Sequence, residues 1–276
     1  MRKQLLIAVL SALAVAGVST VAMADTVNPI LAANNEVGVA ATGTLTNYQE
    51  HVPAQYGPSD TETGWTPGFA LKGSYMGDFL GVPNAYAEVK YGYSTGDIAY
   101  KGAVGNSYGY VPYGGTDSMA TNRIMARIGV GFNLASGMMV TPYVAGGYQG
   151  WNRALQGPYG YTEDYSAGLV GMGAKFQYAM SSRLVMGANA EFLAVVGGGM
   201  TPHLYGGALG SAQFGVTGEE VLGLDADYRL VGPVHVYSGL DYTHFTYTGG
   251  ALNFGAFEPS SSTNQFGVNM GVAYQF

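Results

Sequence analysis

Beyond residue 34 the chain alternates apolar and polar positions with period two, in one stretch after another. In 168–178, Val170, Met172, Ala174, Phe176 and Tyr178 form an apolar set, and Gly171, Gly173, Lys175 and Gln177 fall between them. In 184–193, Leu184, Met186, Ala188, Ala190 and Phe192 alternate with Gly187, Asn189 and Glu191. The same holds for Leu222, Leu224, Ala226, Tyr228 and Leu230 against Gly223, Asp225, Asp227 and Arg229. It holds again for Ile124, Ala126, Ile128, Val130 and Phe132 against Arg123 and Arg127. A helix would spread these charges around its whole circumference, whereas a strand places them on one face.

The pattern predicts ten strands, at 35–50, 63–77, 84–96, 119–134, 138–151, 164–180, 183–198, 216–231, 233–248 and 263–276, with eight or twelve as the alternatives. The connections alternate between long and short. Long ones fall near 51–62, 97–118, 152–163, 199–215 and 249–262, and short ones at 78–83, 135–137, 181–182 and 232. An antiparallel up-and-down meander with long loops at one end and tight turns at the other is the layout of a transmembrane β-barrel. A soluble barrel also alternates, but it turns its apolar set inward and covers the outside with charge. Here the polar set is mostly Gly, Ala, Ser, Asn and Gln, too poor in charge to solubilise an exterior.

Composition agrees. Of 276 residues 44 are Gly and 11% are charged, which fits neither a disordered chain nor a helical membrane protein. No Cys is present, which removes disulfides, thiolate metal sites and Cys nucleophiles together. At the N-terminus, Arg2 and Lys3 precede an apolar stretch from Leu5 to Val21 and then Ala22-Met23-Ala24. This is the pattern of a secretory signal peptide over 1–24, cut before Asp25. Residues 25–34 are then expected as a short periplasmic segment and 35–276 as the barrel. Cleavage would leave 9 basic and 18 acidic residues, net −9, a balance that disfavours nucleic acid.

The last strand ends on Val268, Met270, Val272, Tyr274 and Phe276, an apolar stripe finishing at the final residue. Together with the leader and the loop alternation, this resembles bacterial outer-membrane β-barrel proteins, in texture the opacity-protein and OmpA-barrel group. The resemblance implies a Gram-negative-type outer membrane with lipid and lipopolysaccharide as surroundings. It also implies that Met270, Val272, Tyr274 and Phe276 act as the signal read by the barrel-assembly machinery. The 22 Tyr and the two Trp, Trp65 and Trp151, are expected at the membrane interfaces.

Lys72, Glu88, Lys90, Arg123, Arg127, Lys175, Glu191, Asp225, Asp227, Arg229 and Asp241 all share the polar face, which is the inside of such a barrel. Most of them stand four to eight residues from the nearest short turn and are expected in one layer. Ten strands enclose a lumen nearer to the side-chain-filled eight-stranded case than to an open pore. Because burying unpaired charge is costly, the near balance of signs favours ion pairs that fill the lumen, Arg127 with Asp241 among them. A narrow channel for small solutes is the alternative.

Enzymatic readings are weaker. Omptin-type proteases are ten-stranded, but the Asp pair and Asp-His pair that the resemblance would require at the rim are missing. The one Asp-x-Asp on a strand, Asp225 and Asp227, lies near the short-turn end, and no Asp-x-His occurs. Ser238 and His244, which a barrel deacylase would need side by side, stand about 20 Å apart along an extended strand. The four His, at 51, 203, 235 and 244, read as loop or interface residues. No cofactor or metal motif is present, and a membrane-embedded hydrolase remains only a remote alternative. Tyr108, Tyr110, Tyr113, Tyr159 and Tyr161, in Gly-rich loops, are candidates for binding an extracellular ligand.

Overall fold

The computed structural model describes residues 28–106 and 109–276. The expected signal peptide 1–24 and Tyr108 lie outside the described residues. The wall consists of ten strands in chain order: β1 Glu36–His51, β2 Thr61–Phe79, β3 Val82–Asn106, β4 Gly109–Val130, β5 Met138–Leu155, β6 Thr162–Ala179, β7 Leu184–Pro202, β8 Thr217–Val231, β9 Val234–Tyr247 and β10 Ser260–Gln275. Phe132–Ala135 continues β4 past Gly131 and pairs with β5. Each strand pairs antiparallel with its sequence neighbour, and β10 pairs with β1 from Glu36↔Gln275 to His51↔Ser260, so the sheet closes with no free edge.

Closure pairs the backbone groups within the wall, which is what a lipid environment demands of a spanning sheet. The outward residues suit that environment. Ile128, Val144, Met172, Phe192, Leu224, Leu240, Met270 and Val272 all point outward and are exposed. Above this belt the outward positions turn polar at the same height on successive strands: Thr63 on β2, Asn47 on β1, Asn264 on β10, His244 on β9 and Glu220 on β8 face one another in register. The apolar belt is thus about ten residues tall, the span needed for a tilted membrane strand.

We call the short-turn end the floor and the other end the roof. At the floor, β2 and β3 are joined by Leu80 and Gly81, both with positive φ, the conformation of a two-residue turn matched to strand twist. At the roof, β3 and β4 run as 25 and 22 residues and stay paired up to Asn106↔Gly109. The stretch 97–118, expected as a loop, is therefore largely a hairpin rising beyond the belt. Its Gly and Tyr content suggested a loop, but its alternation continues, with Ile98, Tyr100 and Asp117 all buried.

The described part of the expected short periplasmic segment 25–34 is folded against the floor. Pro29–Ala33 forms a short helix, α1, with Pro at its first turn and the Asn28 side chain accepting from the Ile30 N–H at 3.0 Å. Ile30 and Ala33 pack against Met76, Tyr86, Met139 and Val185 inside the floor. Asn34 donates to the Gln177 side chain at 2.7 Å, and Asn35 exchanges hydrogen bonds with the backbone of Met76. The apolar run Ile30-Leu31-Ala32-Ala33 explains why this segment is drawn inward.

Candidate functional site

Inside the wall, seven of the residues expected in one layer, Lys72, Lys90, Arg127, Lys175, Asp225, Asp227 and Asp241, line one cavity. Arg123, four residues from Arg127 on β4 and so about 13 Å along the strand, stands above them, and the ion pairs fall at three heights. Nearest the floor, Lys72 pairs with Glu36. Asp227 and His235 lie beside that pair, with His235 Nδ1 2.5 Å from Asp227 Oδ1 and 3.7 Å from Glu36 Oε2. One level up, Arg127 bridges Glu88 on the adjacent strand at 2.5 Å and Glu191 across the lumen at 2.6 Å. Higher still, Arg123 pairs with Glu219 at 2.5 Å and donates to Gln149 at 2.9 Å.

Arg127 therefore has Glu88 and Glu191 as its partners, and the expected pair with Asp241 is not made. Asp241 accepts instead from Asn269 at 3.4 Å. Lys90, Asp225 and Asp241 line the lumen without an ion pair within 4.0 Å, and Lys175 donates to Asn34 at 3.3 Å. Arg229 leaves the lumen altogether: it lies at the floor turn, donating to the Ser182 carbonyl at 3.0 Å. Three contiguous cavities of about 130, 180 and 170 Å³ run from floor to roof, and all three are lined by Lys90 and Asp241. The charged and amide side chains among their lining residues, and their size, suit water.

Above the cavities the lumen is filled by rings. Trp151 packs edge-on to Tyr48 at 5.0 Å and stacks on Tyr165 at 5.3 Å, and Phe214, Phe245 and Tyr247 complete the layer. Trp151 is thus an interior residue, not part of the outer aromatic belt, because β5 continues to Leu155 and keeps positions 149, 151 and 153 pointing inward. Trp65, by contrast, faces outward as expected.

Over this layer sits the densest cluster of charge, which the sequence reading missed. Arg153 is buried and meets Glu50 at 3.1 Å, Glu163 at 2.9 Å, Asp117 at 3.7 Å and Glu62 through two guanidinium nitrogens. It also donates to the hydroxyls of Tyr48 and Tyr165, and Tyr165 donates to Glu258 at 2.6 Å. Asp60 completes the group beside Glu50. One guanidinium thus faces six carboxyl groups. Burial pushes Asp60 and Glu62 up to about 8, and Glu258 up to about 9 with neighbouring Glu163 adding to the effect. Several members therefore carry protons at neutral pH, which offsets the shortage of positive charge. Five of the six acids were expected in loops and Glu50 at the last residue of its strand; the usable signal was that Glu50, Glu62, Asp117, Arg153 and Glu163 continue the inward parity of their strands. Glu36 and Glu219 lay inside expected strands and were not singled out, although Glu219 shares the parity of Asp225 and Asp227.

On the outside of the roof, Asp164 accepts from Asn152 at 2.7 Å and lies 2.7 Å from His203 Nε2, both partners of the pair half exposed. Hydrogen bonds from Asn152 and then His203 hold its carboxyl below the usual range. This Asp-His contact forms between neighbouring strands and faces away from the buried acids. Of the loop tyrosines, Tyr110 and Tyr159 are exposed, Tyr113 meets Tyr159 edge-on at 5.4 Å, and Tyr161 is half-buried. Met270, Val272 and Tyr274 form an outward stripe on β10, and Phe276 extends it one residue past the strand.

No protein-family model matches the chain, and no curated protein matches it. Among solved structures it is similar to the outer membrane protease OmpT from Escherichia coli, at 7% identity and a TM-score of 0.56, covering 88% of this chain and 97% of that one. It is also similar to the transport unit of the autotransporter AIDA-I from Escherichia coli, at 10% identity and a TM-score of 0.49, covering 87% and 90%. A further match is Ail, the attachment invasion locus protein of Yersinia pestis, at 10% identity and a TM-score of 0.34, covering 87% and 98%. At 7% identity the first likeness speaks to the fold and to nothing finer. The chain is a closed, ten-stranded antiparallel β-barrel of the outer-membrane type.

Proposed function

We propose that this barrel is a non-enzymatic surface protein of a Gram-negative-type outer membrane, exported by a cleaved signal peptide, with a lumen closed to solutes and a contact surface on its tall hairpin. The observation that carries the reading is the pair of closures. At the floor Ile30, Asn34, Met139 and Gln177 are buried in the cross-section. At the roof Tyr48, Glu62, Asp117 and Arg153 are buried likewise. Between them the ion pairs of Arg127, Arg123 and Lys72 span the remaining width.

The long loops and the hairpin of β3 and β4 then face the cell exterior. Tyr110 near the hairpin tip, with Tyr113 and Tyr159 below it, offers large amphipathic rings on a Gly-rich backbone, suited to an extracellular ligand. A hydrolase reading is disfavoured because the buried acids are clamped on Arg153, and the Asp164–His203 contact lies apart from them. The runner-up is a narrow channel, favoured only by the cavities that Lys90 and Asp241 share.

Planar-bilayer recordings separate the two. The refolded protein should show conductance near baseline at neutral pH; a steady, well-defined single-channel step would replace this reading with the channel. Address and topology are read together by whole-cell labelling of a Tyr110→Cys chain, made clean by the Cys-free background. An impermeant maleimide should label it on intact cells. Labelling should be lost when Tyr274 and Phe276 are both changed to Ser, since the apolar stripe of β10 is then no longer available to the assembly machinery. Undiminished labelling of that triple variant would remove the assembly role from the stripe.

A further inference from the structure

The most unusual group in the molecule outside the roof is the one at the floor. Glu36 on β1, Asp227 on β8 and His235 on β9 each present one donor atom within 4.8 Å of the others, and all three residues are buried. We propose that these three side chains bind a divalent transition metal ion of the zinc class, tying the first, eighth and ninth strands together at the floor.

The donors are of mixed type, one imidazole nitrogen and two carboxylate oxygens. That set suits borderline divalent ions such as zinc, and suits less well calcium or magnesium, which favour oxygen alone. Bonds of about 2.0–2.2 Å place neighbouring ligand atoms roughly 3.0–3.5 Å apart. His235 Nδ1 already stands 3.7 Å from Glu36 Oε2 and 2.5 Å from Asp227 Oδ1. The second distance is that of a hydrogen bond, so a proton occupies the position between His235 and Asp227 that the metal would take. Opening that contact by less than 1 Å, with the Glu36 and Asp227 oxygens, now within 4.8 Å of each other, taking up the same spacing, would complete the three-ligand set.

Two features point to a ligand beyond the ion pairs already present. Glu36 Oε2 and Asp227 Oδ2 are buried and have no hydrogen-bond partner, an arrangement native interiors rarely leave unfilled. Lys72 does not satisfy them: it takes the other oxygen of Glu36, and its ammonium lies 3.6 Å over the ring of Tyr237. It stands where a group orienting a ligand carboxylate would stand. Two carboxylates and one ammonium leave a negative charge for the ion. His235 Nε2 is likewise buried without a hydrogen-bond partner, and moving the ring proton to it would leave Nδ1 as a lone pair for the ion. Asp227 and Lys72 also line the lowest cavity, which leaves room for a water molecule to complete the coordination.

Chelator-treated, refolded full-length protein is titrated with zinc by calorimetry, and with cobalt(II) as a visible-absorbing probe. One ion per chain should bind saturably, and cobalt should develop an absorption band typical of mixed nitrogen and oxygen ligation. Both signals should disappear in Asp227→Asn and in His235→Gln, and persist in His203→Ala, which removes the exposed His-Asp pair on the outside. Asp227→Asn keeps the size of the side chain, so it decides the question even if His235→Gln fails to refold. Absence of saturable binding to the wild type overturns the proposal. So does binding that survives Asp227→Asn or is lost in His203→Ala.

Discussion

Replacing Arg153 by Met is expected to loosen the roof by about 3–5 kcal/mol at neutral pH, the scale for removing one partner of a buried ion pair. Met keeps much of the length that packs among Tyr48, Trp151 and Tyr165 and removes only the charge. Those of the six carboxyl groups that are still charged then have to take up protons or open to water. Acidity softens the loss, because protonated acids need no cation. The wild type should show the same coupling in milder form. Ordinary carboxyl values lie near 4, whereas Asp60 and Glu62 stand at about 8 and Glu258 at about 9 in the folded roof. Below about pH 4 both folded and unfolded chains hold these protons, and the groups cost nothing. From there to about pH 9 only the folded chain holds them, so stability falls as pH rises and levels off above. Trp151 stacks in this layer, so in a Trp65→Phe background its fluorescence reports the roof alone. An unfolding midpoint in Arg153→Met equal to that of the parent from pH 5 to 9 would show that Arg153 does not hold the cluster.

How much of this was legible in the sequence depends on which signal carried it. Period-two alternation is set by the backbone itself, so it located the ten strands and sorted Ile128 from Arg127 and Leu224 from Asp225 correctly. It also put the apolar stripe outside, because the opposite face held too little charge to be an exterior. Strand ends were lost where composition was read in place of parity. Trp151, Arg153 and Leu155 continue the inward side of β5, yet the run of Gly and Tyr that follows resembled a loop. The roof went unseen for that reason. The floor was missed for another: α1 is only five residues long, too short to show a helical period, and its burial comes from Met76, Met139 and Val185, distant in sequence. His235 belongs to the same class, since its partners Glu36 and Asp227 arrive from other strands. Pairing across a lumen depends on strand tilt and stagger, which alternation does not encode. Hence the face of Arg127 was predictable and its partner was not.

That distinction sets up the remaining large effect. Arg127→Met should destabilise the barrel by up to about 3–5 kcal/mol, because it leaves Glu88 and Glu191 facing each other's charge within the lumen. The Glu191 side chain is fully buried, while those of Arg127 and Glu88 are 13% and 14% exposed. Water in the neighbouring cavities can relieve part of the loss. Asp241→Asn should change stability by only a few tenths of a kcal/mol, since it removes no ion pair and Asn can still meet Asn269. Double mutants sharpen the contrast. Arg127→Met with Glu191→Gln should cost less than the sum of the singles by roughly 0.5–3 kcal/mol, whereas Arg127→Met with Asp241→Asn should be additive. Conductance should stay near baseline in all of these variants, because Arg153 and the ring layer still close the roof and α1 the floor. Heat-modifiable gel migration across a temperature series measures the stabilities, and bilayer recordings measure the leak. Small, additive effects for Arg127 and Glu191 would mean that the lumen charges are separately hydrated; a leak appearing with Arg127→Met alone would make this single ion-pair level, rather than the two closures, the barrier to solutes.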